Sequence, residues 1–134
     1  MEKQALKRIF EFLAEKEQQN PPFIWKIKNN IPLTEEELNV KGNLDLEFAK
    51  ITSLPEGLKV GGDLYLSDSK ITSLPKGLKV GDDLDLSYTK ITSLPEGLEV
   101  GGMLDMTDTL LTKYTDEEIR EMIKPGFIKG EIYR

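Results

Sequence analysis

The sequence predicts an α/β chain built as a short solenoid, with coils of twenty residues stacked on one another and a helical cap at each end. Three observations predict it. Aligned with itself at an offset of 20, the chain superposes residues 42–61, 62–81 and 82–101 without a gap, and each neighbouring pair is identical at 14 of 20 positions. A fixed period of this size means one structural coil per repeat, since a single repeat cannot bury its apolar face alone. Six apolar columns recur with the period: Leu44/Leu64/Leu84/Leu104, Leu46/Leu66/Leu86/Met106, Ile51/Ile71/Ile91/Leu111, Leu54/Leu74/Leu94, Leu58/Leu78/Leu98 and Val60/Val80/Val100. The flanks lose the repeat and take on helical spacing, which divides one domain into a cap at 1–37, a solenoid at 38–113 and a cap with its tail at 114–134.

Within the first cap, Leu6, Ile9, Phe10 and Leu13 fall on one face of a helix over 2–18 that stops before Asn20-Pro21-Pro22. Phe23, Trp25 and Ile27 alternate, which reads as one apolar face with Trp25 in the core of the cap. Thr34 followed by Glu37 forms a capping box that predicts a helical turn. Leu38 and Val40 occupy the columns of Leu58 and Val60, so the array opens on a half repeat and has about three and a half coils. In each coil, L-x-L has the period of a short strand, and I-x-x-L-P-x-x-L suits a return path outside any sheet. Pro55, Pro75 and Pro95 fix φ and carry no N–H, and the glycine two residues later accepts unusual backbone angles, so every coil turns at the same place. At the far end Lys113-Tyr114-Thr115 replaces Ser-Leu-Pro. Thr115 and Glu118 make a second capping box, Ile119, Met122 and Ile123 give the next helix an apolar face, and Lys124-Pro125-Gly126 ends it. The tail from Phe127 to Arg134 is suited to one more short strand.

The pattern L-x-L-x-x-[S/T]-x-[I/L] followed by T-S-L-P-x-x-L, over roughly residues 38–114, resembles the short, 20-residue class of leucine-rich repeat. It is similar to the repeats of type III secreted leucine-rich-repeat effectors and to related repeat proteins of bacteria and bacteriophages. The resemblance implies a parallel sheet on a concave side and extended or 3₁₀ segments on the convex side. It also implies a phage- or mobile-element-encoded modulator or inhibitor of a host protein. The ubiquitin-ligase effectors carry a separate domain with a nucleophilic Cys, and no Cys occurs in this sequence. Where the family often stacks a buried Asn, this chain has Ala49, Ser69, Thr89 and Thr109, which predicts a hydroxyl ladder in every coil but the first.

Composition narrows the function. With no Cys and no His, thiolate or imidazole nucleophiles, bases and metal ligands are missing. Asp82-Asp83-Leu84-Asp85 lacks the loop pattern and the bidentate Glu of a calcium hand, and no phosphate-cradling loop or nucleophile elbow occurs. Identical columns of carboxylates do not supply the two dissimilar acids of a glycosidase. The expectation is a noncatalytic chain with no cofactor and no metal. A net charge of −6 opposes grip on nucleic acid or on an anionic membrane, and residues 42–113 hold most of it, with 12 acids against 7 lysines. The start lacks the apolar stretch of a secretory signal, and no run is long enough to span a membrane, which predicts a cytoplasmic location.

In L-x-L geometry the residues flanking the leucines face outward, and stacked coils bring equivalent positions about 4.8 Å apart. Those columns are Asn43/Asp63/Asp83/Met103, Asp45/Tyr65/Asp85/Asp105, Glu47/Ser67/Ser87/Thr107 and Phe48/Asp68/Tyr88/Asp108, with no Lys or Arg among them. The candidate partner-binding residues are Asp45, Asp63, Tyr65, Asp68, Asp83, Asp85, Tyr88, Asp105 and Asp108. A face of that kind attracts a basic protein patch and can mimic nucleic acid in a basic groove. The same carboxylates also keep a small sheet soluble and block edge pairing, and a structural subunit of a larger assembly is the second reading. Charge reversal at Asp63, Asp83, Asp85 and Asp105 is expected to abolish binding and leave the fold intact.

Overall fold

The computed structural model describes residues 23–134; the helix expected over residues 2–18 lies outside them. Every coil contributes a pair of two-residue strands. In chain order these are β1 (Asn39–Val40), β2 (Leu44–Asp45), β3 (Lys59–Val60), β4 (Leu64–Tyr65), β5 (Lys79–Val80), β6 (Leu84–Asp85), β7 (Glu99–Val100), β8 (Leu104–Asp105), β9 (Phe127–Ile128) and β10 (Ile132–Tyr133). Helix α1 (Phe23–Lys28) precedes them, and a 3₁₀ turn (Leu110–Lys113) and helix α2 (Asp116–Met122) separate β8 from β9. Odd-numbered strands form one parallel five-stranded sheet and even-numbered strands another, each in sequence order. The chain is a parallel-strand solenoid, with like positions stacked.

The register follows the sequence period. Leu44 faces Leu64, Leu64 faces Leu84 and Leu84 faces Leu104 in the second sheet, while Val40, Val60, Val80 and Val100 align in the first. All six apolar columns are buried. Their side chains form one continuous core, joined by Ile27 at one end and by Ile119, Ile123 and Ile128 at the other. The half repeat at Leu38–Val40 is present, because Val40 pairs with Val60. The I-x-x-L-P-x-x-L path lies outside both sheets, and the two residues after it, Lys59-Val60, Lys79-Val80 and Glu99-Val100, form a second ladder that the L-x-L pattern alone does not predict.

Gly61, Gly81 and Gly101 form the corner between the two sheets. A Cβ on Gly81 or Gly101 would run into the carbonyl oxygen of the glycine one coil earlier. Only a residue without a side chain lets the coils close to ladder distance there.

The two ends differ from expectation in instructive ways. Phe23, Trp25 and Ile27 lie in a helix, where residues two apart do not share a face. Ile27 is buried and Trp25 is half-buried, so the alternating face read from the sequence is not formed. Thr34 and Glu37 exchange both capping-box hydrogen bonds around a single turn. Lys26 of α1 pairs with Glu37 at 2.7 Å and ties the helix to that turn. At the other end Thr115 and Glu118 complete the second capping box. The tail adds two strands where one was expected: Glu99 faces Phe127 and Leu104 faces Ile132, a register of 28 in place of 20. Arg120 of α2 donates to the carbonyls of Ile128 and Gly130. No helix among the described residues is long and apolar enough to cross a membrane.

Candidate functional site

The nine candidate residues divide among three positions of the coil. Asp63 and Asp83 sit at the bend between the sheets, Asp45, Tyr65, Asp85 and Asp105 end the two-residue strands of the second sheet, and Asp68, Tyr88 and Asp108 lie in the turn that follows.

At the bend the side chains form a ladder. Asn43 Oδ1 accepts the N–H of Asp63 at 2.7 Å, Asp63 Oδ1 that of Asp83 at 2.8 Å, and Asp83 Oδ1 that of Met103 at 2.8 Å. Each oxygen satisfies an amide that the interrupted sheets leave without a partner. The chain therefore does stack an Asn/Asp ladder, six residues before the column where the family resemblance implies one.

At the strand ends, Asp45, Asp85 and Asp105 each accept the N–H two residues on, at 2.9 to 3.0 Å. This side-chain turn reverses the chain out of the strand. Ser87 and Thr107 hydroxyls add a second bond at 2.6 Å to Asp85 and Asp105. In the second coil Tyr65 replaces the aspartate, and its hydroxyl donates to Asp63 Oδ2 at 2.8 Å. That hydrogen bond, with the field of the neighbouring carboxylates, raises the Tyr65 pKa above the usual phenol range. Asp63, Asp83, Asp85 and Asp105 thus all accept backbone N–H bonds, so reversing these four charges would remove fold hydrogen bonds as well as surface charge.

The buried column beneath the turn bears out the hydroxyl ladder. Thr89 and Thr109 donate to the carbonyls of Leu86 and Met106 at 2.7 Å, and Ser69 accepts the N–H of Ile71. Ala49 has no hydroxyl to offer.

Immediately before that column, Phe48, Asp68, Tyr88 and Asp108 all adopt left-handed backbone, with φ of 60°, 58°, 57° and 54°. Aspartate tolerates this region, whereas a bulky aromatic there is strained. Phe48 is nonetheless 72% exposed and Tyr88 55% exposed. The four side chains form a stripe along the solenoid in which aromatic and acid alternate coil by coil. Two residues on runs an exposed line of Lys50, Lys70 and Lys90, none of them in a salt bridge among the described residues. Beside Asp108 an open groove of about 870 Å³ is flanked by Lys90, Leu110 and Arg134.

The tail brings two residues to the second sheet that the period of 20 does not reveal. Glu131 and Tyr133 extend its outer face, and the Glu131 carboxylate near the Tyr133 hydroxyl raises the tyrosine pKa. The signal lies in the spacing: Val100, Gly102 and Leu104 recur as Ile128, Gly130 and Ile132.

No protein-family model, no curated protein and no solved structure matches this chain.

Proposed function

We propose that this chain is a noncatalytic interaction module of the short leucine-rich-repeat kind, capped by helices at its ends, that binds a basic partner protein. The reading includes a phage-encoded or mobile-element origin, with a host protein as the target. The observation that carries it is the stripe of Phe48, Asp68, Tyr88 and Asp108. Two large aromatics are held outward in a backbone region that disfavours them, at positions where asparagine or glycine would close the same turn without strain. Aromatics of this kind, with charge beside them, are what protein interfaces use as anchors. The bend and strand-end carboxylates accept backbone N–H groups and add negative charge to the coils that carry the stripe.

Affinity capture from a bacterial lysate, run with the wild-type chain and with the variant D68N/Y88N/D108N, tests this reading. Asparagine keeps the left-handed turn, so the variant folds. A basic protein retained by the wild type and lost with the variant is the expected result. Equal retention by both refutes the stripe, and no specific retention by either favours the structural-subunit reading.

A further inference from the structure

Resting on that reading, we propose that the partner segment is an amphipathic α-helix lying along the solenoid axis, with an apolar side chain and, four residues later, a cation in each heptad. The stripe changes character at every coil, and coils repeat about every 4.8 Å. An α-helix rises about 5.3 Å in 3.5 residues. A helix that alternates apolar and cationic residues at spacings of four and three therefore places one side chain over each of Phe48, Asp68, Tyr88 and Asp108 in turn. The accumulated mismatch over three steps is about 1.4 Å, within the reach of Arg and Lys side chains. An extended strand presents one face every 6.6 to 6.8 Å or so, and it falls out of phase by nearly half a coil at each step.

Charge fixes which flank of the helix bears the cations. Asp68 and Asp108 are exposed and accept no backbone N–H among the described residues, unlike the other candidate aspartates. The line of Lys50, Lys70 and Lys90 runs two residues to one side and repels a cation turned that way. Phe48 and Tyr88 take the apolar positions and can also stack on an arginine. The groove beside Asp108 receives the next apolar side chain, against Leu110.

The test uses the full chain and a synthetic helical peptide built on Ala and Gln, with Leu at one position and Arg four residues later in each heptad. Its control is an isomer of identical composition with each Arg moved to the opposite face. Binding is measured by calorimetry at two salt concentrations. The patterned peptide is expected to bind at least about tenfold tighter than the isomer and to weaken as salt rises. D68N/D108N should remove that preference, whereas Glu56→Gln, the same kind of charge change on the return path, should leave it in place. Equal affinity for the two peptides, or no binding of either, overturns the helix proposal. If lysate capture still depends on Asp68 and Asp108 in that case, partner binding stands and its partner has another shape. If the wild type retains nothing specifically, or wild type and variant retain the same proteins, both readings fail.

Discussion

Asp63 Oδ1 accepts the backbone N–H of Asp83 at 2.8 Å, joining two residues at the same place in successive coils. The bond belongs to a ladder that starts at Asn43 and ends on the amide of Met103. Carboxylates that look like a row of free charges in the sequence are hydrogen-bond acceptors at a bend.

The ladder predicts a difference between amide and alanine replacements. D63A and D83A leave an amide unsatisfied and should each cost about 1–3 kcal/mol. D63N and D83N keep the acceptor, as Asn43 does naturally, and should cost far less. Urea denaturation of the four variants measures the contrast. D68N and D108N, outside the ladder, should stay within about 0.5 kcal/mol of wild type.

The strained aromatics predict stabilising substitutions. Tyr88→Asn relieves a left-handed backbone at φ 57° and should stabilise the chain by about 1 kcal/mol. Thermal denaturation should show a rise of about 2–6 °C. Loss of partner binding in the same variant is the expected counterpart, a gain in stability at the expense of function.

The corner glycines predict sharply different tolerance. Gly81→Ala and Gly101→Ala drive a methyl into the backbone of the preceding coil and should cost about 3 kcal/mol or more, or prevent folding. Gly42→Ala meets open space and should behave almost as wild type. Soluble yield and circular dichroism distinguish the two classes.

The phenol pairs predict the alkaline behaviour. The hydrogen bond to Asp63 raises the folded pKa of Tyr65, and the neighbouring Glu131 carboxylate raises that of Tyr133. A raised folded value means that the stabilisation is fully present below the ordinary tyrosine pKa of about 10 and is lost as pH rises through the folded value. Ultraviolet titration should therefore show late ionisation for these two of the four tyrosines, and D63N should return Tyr65 toward the usual range. Glu37 works in the opposite sense. Burial pushes its carboxyl up, but hydrogen bonds from Lys26 and Thr34 outweigh that and hold it below the usual range. Its contribution is present above the unfolded pKa and disappears as pH falls through the folded one, so Lys26→Met should flatten the acid limb of the stability curve.

Arg120 predicts a change in assembly. Its guanidinium occupies the outward carbonyls of Ile128 and Gly130, at the open edge of the first sheet, where unpaired groups invite another chain. Arg120→Ala should lower stability and increase self-association in light scattering.

Repetition made the solenoid legible, because a buried column must repeat when the coil does, and Leu64, Ile71 and Val80 announce themselves three times over. The hydroxyl column and both capping boxes were legible for the same reason, each being a local bond between fixed positions. What the sequence concealed was the use of polar atoms across coils. Nothing in the letters Asn43, Asp63 and Asp83 separates an acceptor for the next coil from a charge facing solvent. The left-handed turn at Phe48 and Tyr88 was hidden because an aromatic is a poor marker of positive φ. The double strand of the tail was hidden by an eight-residue change of period, created by the insertion of α2 between Leu104 and Ile132.

Because Leu64 stands in register between Leu44 and Leu84, and the strand-pair columns keep that period up to β8, one twenty-residue unit can be duplicated or removed without altering the kind of residue each strand position faces. Unequal recombination in the coding sequence would then lengthen or shorten the stripe of Phe48, Asp68, Tyr88 and Asp108 by about 4.8 Å at a time, leaving both ends of the molecule as they are. Under the proposed function, target choice would evolve by ruler as well as by side chain.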